Sequence, residues 1–344
     1  MIRFNNDYNH GAHPEVLNAI IRTNNESYGG YGLDNWCEKA RDQIRKTINN
    51  HDADVHFLVG GTQANFTVID SALRSFQSVI SADTGHIHAH ETGAVEHTGH
   101  KIETLPHTNG KITAQQIADK CQLYRTSDVQ EHITQPKMVY ISYPTEVGSI
   151  YSKKELEDIR KVCDEYKLYL FIDGARMGYG LGSPMSDITA EDLGKLADVF
   201  YFGGTKCGTL CGEAVVILND NLKEDFRSCI KQNGGMFAKG WLLGLQFYTL
   251  FENGLYFDIT KKAVTLALEI KEAFVNKGFK LYSDSPTNQQ FVVLDKKSMD
   301  KLSENYIFEF QEKLGDDAFA VRFCTAWSTT EEEVNALISD IKKL

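Results

Sequence analysis

The sequence predicts an α/β protein in two parts: a large domain on a mostly parallel sheet flanked by helices, and a smaller C-terminal α/β domain. Three observations predict it. Short apolar runs alternate with helical stretches from about residue 56 to 218, which requires crossovers between parallel strands. Those runs lack strict polar-apolar alternation, as expected of strands covered on both faces. Past Gly235 the alternation gives way to one long helical region, and 344 residues exceed the roughly 250 to 300 that a single core sustains.

Residues 1–13 read as an N-terminal arm. Pro14 then sets a helical φ at a first turn, and Val16, Leu17, Ile20 and Ile21 fall on one face of the helix that follows. A second helix is expected over 34–50. Strands are predicted at 56–59, 78–81, 138–142, 168–172, 199–202 and 214–218, all within a large domain of residues 14–235. The small domain, 236–344, begins with a long connecting helical region, 236–277, kinked near Gly254. Strands at 291–294 and 320–325 follow, separated by a helix, and Ser328 with Glu331 matches the capping-box pattern ahead of the last helix. No Pro-, Gly- or Ser-rich linker divides the two parts, so they should share a packed interface.

Composition excludes several functions. A net charge of −11 with no cluster of Lys and Arg disfavours nucleic acid as a partner. The N-terminal MIRFNNDYNHGAHPEV lacks a signal-peptide core and no run of about 18 apolar residues occurs, so a soluble, cytoplasmic protein is expected. Seven scattered cysteines fit reduced thiols, and Cys207 and Cys211, without further ligands at zinc spacing, read as buried.

Three segments carry chemistry. Gly60, Gly61, Thr62, Gln63, Ala64 and Asn65 lie between an apolar strand and a helix, where close backbone approach and free first-turn amides make a phosphate cup. A tight strand-to-helix turn would look the same. The segment matches neither the P-loop nor the dinucleotide fingerprint. Asp173, in FIDGAR, closes an apolar strand where open α/β sheets bind ligands, and a buried carboxylate there demands a cation. A protonated pyridine nitrogen is one candidate; Arg176 is another. Lys206, in YFGGTKCG, follows a buried strand and lies among glycines, so desolvation would make it a nucleophilic amine. The order of cup, strand-end Asp and glycine-flanked Lys favours the functional reading of each.

On these residues, the chain resembles the threonine aldolase / β-eliminating lyase family of pyridoxal 5'-phosphate (PLP) enzymes. The likeness runs through Asn6-Asp7, Tyr31-Gly32-Leu33-Asp34, GGTQAN at 60–65, His86 with Glu91, Thr145 and Gly148, DGAR at 173–176, Lys206 and Gly234-Gly235-Met236. It implies the fold of the aspartate-aminotransferase-like (fold type I) enzymes and PLP held on Lys206, with Gly61, Thr62 and Gln63 around its phosphate. It further implies His86 stacked on the ring, Asp173 at the ring nitrogen and Arg176 near the phenolic oxygen. Arg322, with Asn6, would hold a substrate carboxylate. Cleavage of a β-hydroxy amino acid beside its α carbon follows, threonine or allo-threonine giving glycine and acetaldehyde. A β-eliminating lyase or an aminotransferase is the alternative. The family also implies a homodimer or homotetramer, with Tyr31 contributed across the interface.

Two positions depart from the family. Glu146 stands where a second active-site histidine is usual, and Asn6 where a serine is usual. Glu146 can accept the same proton, and His86 or water are the other candidates. His86, His88 and His90 recur at a spacing of two, which on a strand would share one face as metal ligands and support a metal-dependent hydrolase; at the start of a helix they would not converge. The resemblance accounts for His86 singly, and no metal is assigned.

Overall fold

The computed structural model describes residues 1–344. The chain opens with β1 (Ile2–Arg3), and a helix over Pro14–Thr23 follows with Pro14 in its first turn. A second helix, Asn35–Thr47, starts where the Asp34 carboxylate accepts from the Trp36 and Cys37 amides. Seven strands then form the main sheet: β2 (Asp54–Leu58), β3 (Gln77–Ala82), β4 (Lys101–Leu105), β5 (Gln135–Ser142), β6 (Tyr169–Asp173), β7 (Val199–Gly203) and β8 (Glu213–Ile217). Their spatial order is β2-β8-β7-β6-β5-β3-β4. All neighbours are parallel except β8, which runs antiparallel to both β2 and β7.

That one reversal matters for the site. The carboxyl ends of β2, β5, β6 and β7 share an edge, and β8 brings its first residue, Glu213, to the same edge. Helices cover both faces, and every residue of β3, β7 and β8 is buried. One core of 38 buried residues lies on one side of the sheet and a second of 18 on the other.

Beyond Gly235 the helical region is two helices, Trp241–Phe251 and Leu255–Lys277. They are broken at Gly254, whose φ of +74° is a left-handed conformation that a side chain would strain. Four strands follow as an antiparallel sheet: β9 (Lys280–Ser283), β10 (Gln289–Leu294), β12 (Glu309–Gly315) and β13 (Ala318–Cys324), in the order β12-β13-β10-β9. The two-residue β11 (Tyr306–Ile307) pairs instead with β1, and Phe4 is buried in the C-terminal core, so the start of the arm packs with the end of the chain.

The last helix, Glu331–Lys342, is capped two residues later than expected. Thr330 and Glu333 form the reciprocal box, while Ser328 bonds the His10 ring at 2.9 Å. Both pairs match the pattern; capping at Thr330 starts the turn that buries Val334, Leu337 and Ile341. No helix is long and apolar enough to cross a membrane.

Candidate active site

The edge shared by the strand ends opens into a cavity of about 330 Å³. Its walls include Gly61, Thr62, His86, Glu146, Asp173, Arg176 and Lys206, residues scattered over 146 positions that five strand ends bring together.

The cup forms where β2 ends. Gly60 is the N-cap of the helix Gly61–Ala72 and has no side chain to cap it, so the first-turn amides keep their donors free. A Cβ at Gly60 would meet nothing within 4 Å, while one at Gly61 would lie 3.4 Å from the Tyr201 hydroxyl. Gln63 points elsewhere. Its Oε1 accepts from the Val59 amide and its Nε2 donates to the Asn233 carbonyl, each at 3.3 Å, which ties the cup to the loop carrying Gly234 and Gly235.

Asp173 closes β6 and is only 4% exposed. Its Oδ1 accepts from the Tyr201 hydroxyl and, at 2.9 Å, the Ala175 amide; Oδ2 accepts from the Tyr140 hydroxyl and, at 3.0 Å, Asn65 Nδ2. Burial pushes its pKa up, but the nearby His86 and these donors outweigh that and leave it below the ordinary value. Asn65 also donates to Glu91 Oε1 at 2.7 Å, and the same oxygen meets His86 Nδ1 at 2.8 Å. A carboxylate only accepts, so Nδ1 carries the proton and the ring is oriented from behind. Burial lowers the His86 pKa; the Glu91 bond and the charges of Asp173 and Glu91 reverse this and raise it. Asn65 Oδ1 and Glu91 Oε2 are buried without any partner.

Lys206 follows β7 by three residues. Burial and the Arg176 charge lower its pKa, opposed by Asp7, Asp173 and Glu213. Arg176 is locked by the buried Asp7, with Nε to Oδ2 at 2.7 Å and Nη2 to Oδ1 at 3.0 Å, and Asn288 Nδ2 adds a third bond to Asp7 at 3.0 Å. Burial works to raise Asp7, yet Arg176 and Lys206 hold it down at about 2. Cys207 is buried as expected. Cys211 departs from the expectation: it is half-buried on the cavity wall because the chain turns there into β8.

Glu146 is on the same wall. Its Oε1 accepts from the His86 amide at 3.0 Å and from Ser142 Oγ at 2.5 Å, and burial raises its pKa. Asn6 and Arg322 stand back from the wall. Asn6 Oδ1 accepts from the amide of Tyr8, itself a wall residue, and Arg322 donates to Gln289 Oε1 at 3.1 Å and the Asn5 carbonyl at 3.0 Å. Arg322 Nε has no partner. Tyr31 is 47% exposed, with φ of 62°, and its ring lies under Lys231 outside the cavity. His86 starts a single helical turn, His86–Ala89; His88 and His90 are exposed, and no three His, Cys, Asp or Glu side chains converge as metal ligands.

Sequence reasoning passed over Tyr140, Tyr201 and Ser142, whose hydroxyls lie inside apolar runs that read as core. Glu213 was also missed, opening a strand of otherwise apolar residues.

Known proteins share this architecture. A Thermus thermophilus aspartate aminotransferase has the same fold, with a TM-score of 0.71 over 100% of this chain and 91% of that one at 14% identity. A Leishmania major threonine aldolase structure superposes with a TM-score of 0.97 at 42% identity, covering 100% of this chain and 99% of that chain. The low specificity L-threonine aldolase of Pseudomonas sp. (strain NCIMB 10558) is 31% identical over 99% of this chain and 97% of its own length. The β-eliminating lyase family model matches residues 12–297, and with a curated relative of this identity along nearly its whole length, the chain is a member of the β-eliminating lyase family, with the fold of the fold type I PLP enzymes.

Proposed function

We propose that this protein is a PLP-dependent, threonine-aldolase-like lyase that cleaves the Cα–Cβ bond of a β-hydroxy amino acid, giving glycine and an aldehyde. One observation carries the reading: a buried, fourfold hydrogen-bonded Asp173 shares a cavity with a lysine of depressed pKa, beside an uncapped helix start. The curated relatives are named for that reaction.

The residues fit the cofactor. The amides of Gly61 and Thr62 would hold a phosphate, with Gln63 bracing the cup from outside. Asp173 would keep the pyridine nitrogen protonated, and His86 would lie against the ring face. Asp7 occupies Nε and Nη2 of Arg176 and leaves Nη1 for the phenolic oxygen. Asn65 lines the cavity, and its orphaned Oδ1 leaves the wall with unused polar capacity for a bound group. When bound on Lys206, PLP supplies an electron sink for the carbanion left by bond cleavage.

The chain's own residues do the rest. Arg322, with an unpartnered Nε, and Asn6 orient the substrate carboxylate, Arg322 in the forked geometry that guanidinium offers. Glu146 takes the proton of the β-hydroxyl. Both of its donors bind Oε1, so Oε2 is left to accept, and burial, which raises the carboxyl's affinity for a proton, strengthens it as a base. Exposed Leu33 and Phe237 flank Tyr31, an apolar patch suited to a second copy of the chain in a homodimer or homotetramer.

Incubation with L-threonine and L-allo-threonine should release acetaldehyde and glycine in equal amounts. Release of ammonia and an oxo acid instead would select the β-eliminating alternative.

A further inference from the structure

Ser142 is a buried hydroxyl that the chemistry above does not use. It ends β5 and pairs in register with Asp173 at the end of β6, so it lines the cavity at the same edge. Side chains two apart on a strand share a face, and Tyr140 stands two residues before it. The two hydroxyls serve different acids: Tyr140 donates to Asp173 Oδ2, and Ser142 donates to Glu146 Oε1 at 2.5 Å. The Ser142 oxygen is 3.5 Å from that of Tyr140, at the limit of a bond, so its single proton goes to Glu146.

Glu146 reaches the cavity from a tight turn that the Gly148 amide closes onto the Thr145 carbonyl at 2.9 Å. The titratable groups acting on it are Asp173 from β6, His86 from its helical turn, Tyr140 from β5 and Tyr151 from the segment beyond the turn, and none of their side chains bonds it. Burial and the charge of Asp173 favour the protonated acid; the Ser142 bond and the charge of His86 favour the carboxylate. An acid already protonated cannot accept the proton of a substrate hydroxyl, so what holds Glu146 ionised decides whether it is a base. Two donors reach it, the His86 amide and the Ser142 hydroxyl, and both reach Oε1. A carboxylate oxygen has two lone pairs, so Oε1 has no site left for a proton.

We propose that Ser142 is a positioning residue for this acid: with the His86 amide it fills Glu146 Oε1, keeps the group ionised before substrate binds, and leaves Oε2 as the one oxygen that takes a proton. The length of the Ser142 bond is that of a hydroxyl donating to an ionised carboxylate. The His86 amide is set by the backbone and does not depend on the side chain at 142, so Ser142 is the replaceable half of the pair. The proposal deepens the function assigned above and rests on it for Glu146 as the acceptor.

The test reads Glu146 directly. Purified full-length protein carrying carbon-13 in its glutamate carboxyl groups is titrated by NMR, with the Glu146 resonance assigned by its loss in Glu146→Gln. Ser142→Ala removes the donor and little volume, so the Glu146 midpoint should rise by about one pH unit. Ser142→Thr keeps a hydroxyl and should stay near the parent. A midpoint unmoved or lowered in Ser142→Ala, or raised equally in Ser142→Thr, overturns the proposal. Should Ser142→Ala not fold, Ser142→Cys, whose thiol is a weaker donor, must raise the midpoint in the same direction, and an unmoved value overturns it equally. The acidic limb of the kcat profile for L-threonine should follow the midpoint upward in Ser142→Ala, with about tenfold slower turnover at a pH below both limbs. A limb that stays while the midpoint moves would sink Glu146 as the acceptor and leave the role of the Ser142 bond standing, so the two failures are distinguishable.

Discussion

Replacing Tyr201 by Phe removes one oxygen atom from a fully buried side chain and takes one of four donors from Asp173. A hydrogen bond to a charged group contributes about 1.5 to 3 kcal/mol, and Phe fills the same volume, so no cavity term adds to it. For a chain of 344 residues that corresponds to a fall in Tm of about 2 to 4 °C. The pH dependence distinguishes this cause from a packing defect. Asp173 is held below its ordinary value of 3.8, so the stability it lends is present above that value and is lost as pH falls through its folded pKa. The difference between the parent and Tyr201→Phe should be full at pH 6 to 7 and shrink on acidification below 3.8. Calorimetry across that range is the assay. A Tm change under about 1 °C, or a difference independent of pH, would refute the claim that the Tyr201 hydroxyl stabilises an ionised Asp173.

Other perturbations test separate parts of the account. Glu146→Gln keeps an oxygen for His86 and Ser142, so folding should survive while kcat falls by about 10² to 10⁴ with KM little changed; an unaltered kcat would remove Glu146 as proton acceptor. Asp7→Ala strands the buried Arg176 guanidinium and should cost about 3 to 5 kcal/mol in denaturant unfolding, far more than an exposed pair would. Gly174→Ala places a Cβ 1.7 Å from the Tyr201 carbonyl oxygen, so backbone must shift, and soluble expression should drop sharply.

Much of the large sheet was legible because burial on both faces writes a continuous apolar run, as in 138–142 and 199–202. The unpredicted β4 is an edge strand, KIETL, with only Glu103 buried, so no apolar run marks it. The unpredicted β12 is exposed at all seven positions and is held by its ladder to β13, a signal that exists only between strands. At the site, Asp173, Lys206 and the cup announced themselves through glycines and strand ends. Glu213 did not, because its position at the ligand edge follows from the reversal of β8, which no local pattern encodes. The hydroxyls of Tyr140 and Tyr201 were hidden for a related reason: an aromatic in a buried strand looks like core until its partner across the sheet is known.

The central claim is that Lys206 carries the cofactor opposite the buried Asp173 carboxylate. It is tested most directly by reducing the purified protein with borohydride and mapping the modified peptide, with loss of the long-wavelength absorbance followed alongside. One modified lysine, Lys206, is expected, and none in Lys206→Ala. A cofactor adduct on any other lysine of the parent protein, or an adduct that persists in Lys206→Ala, would contradict it.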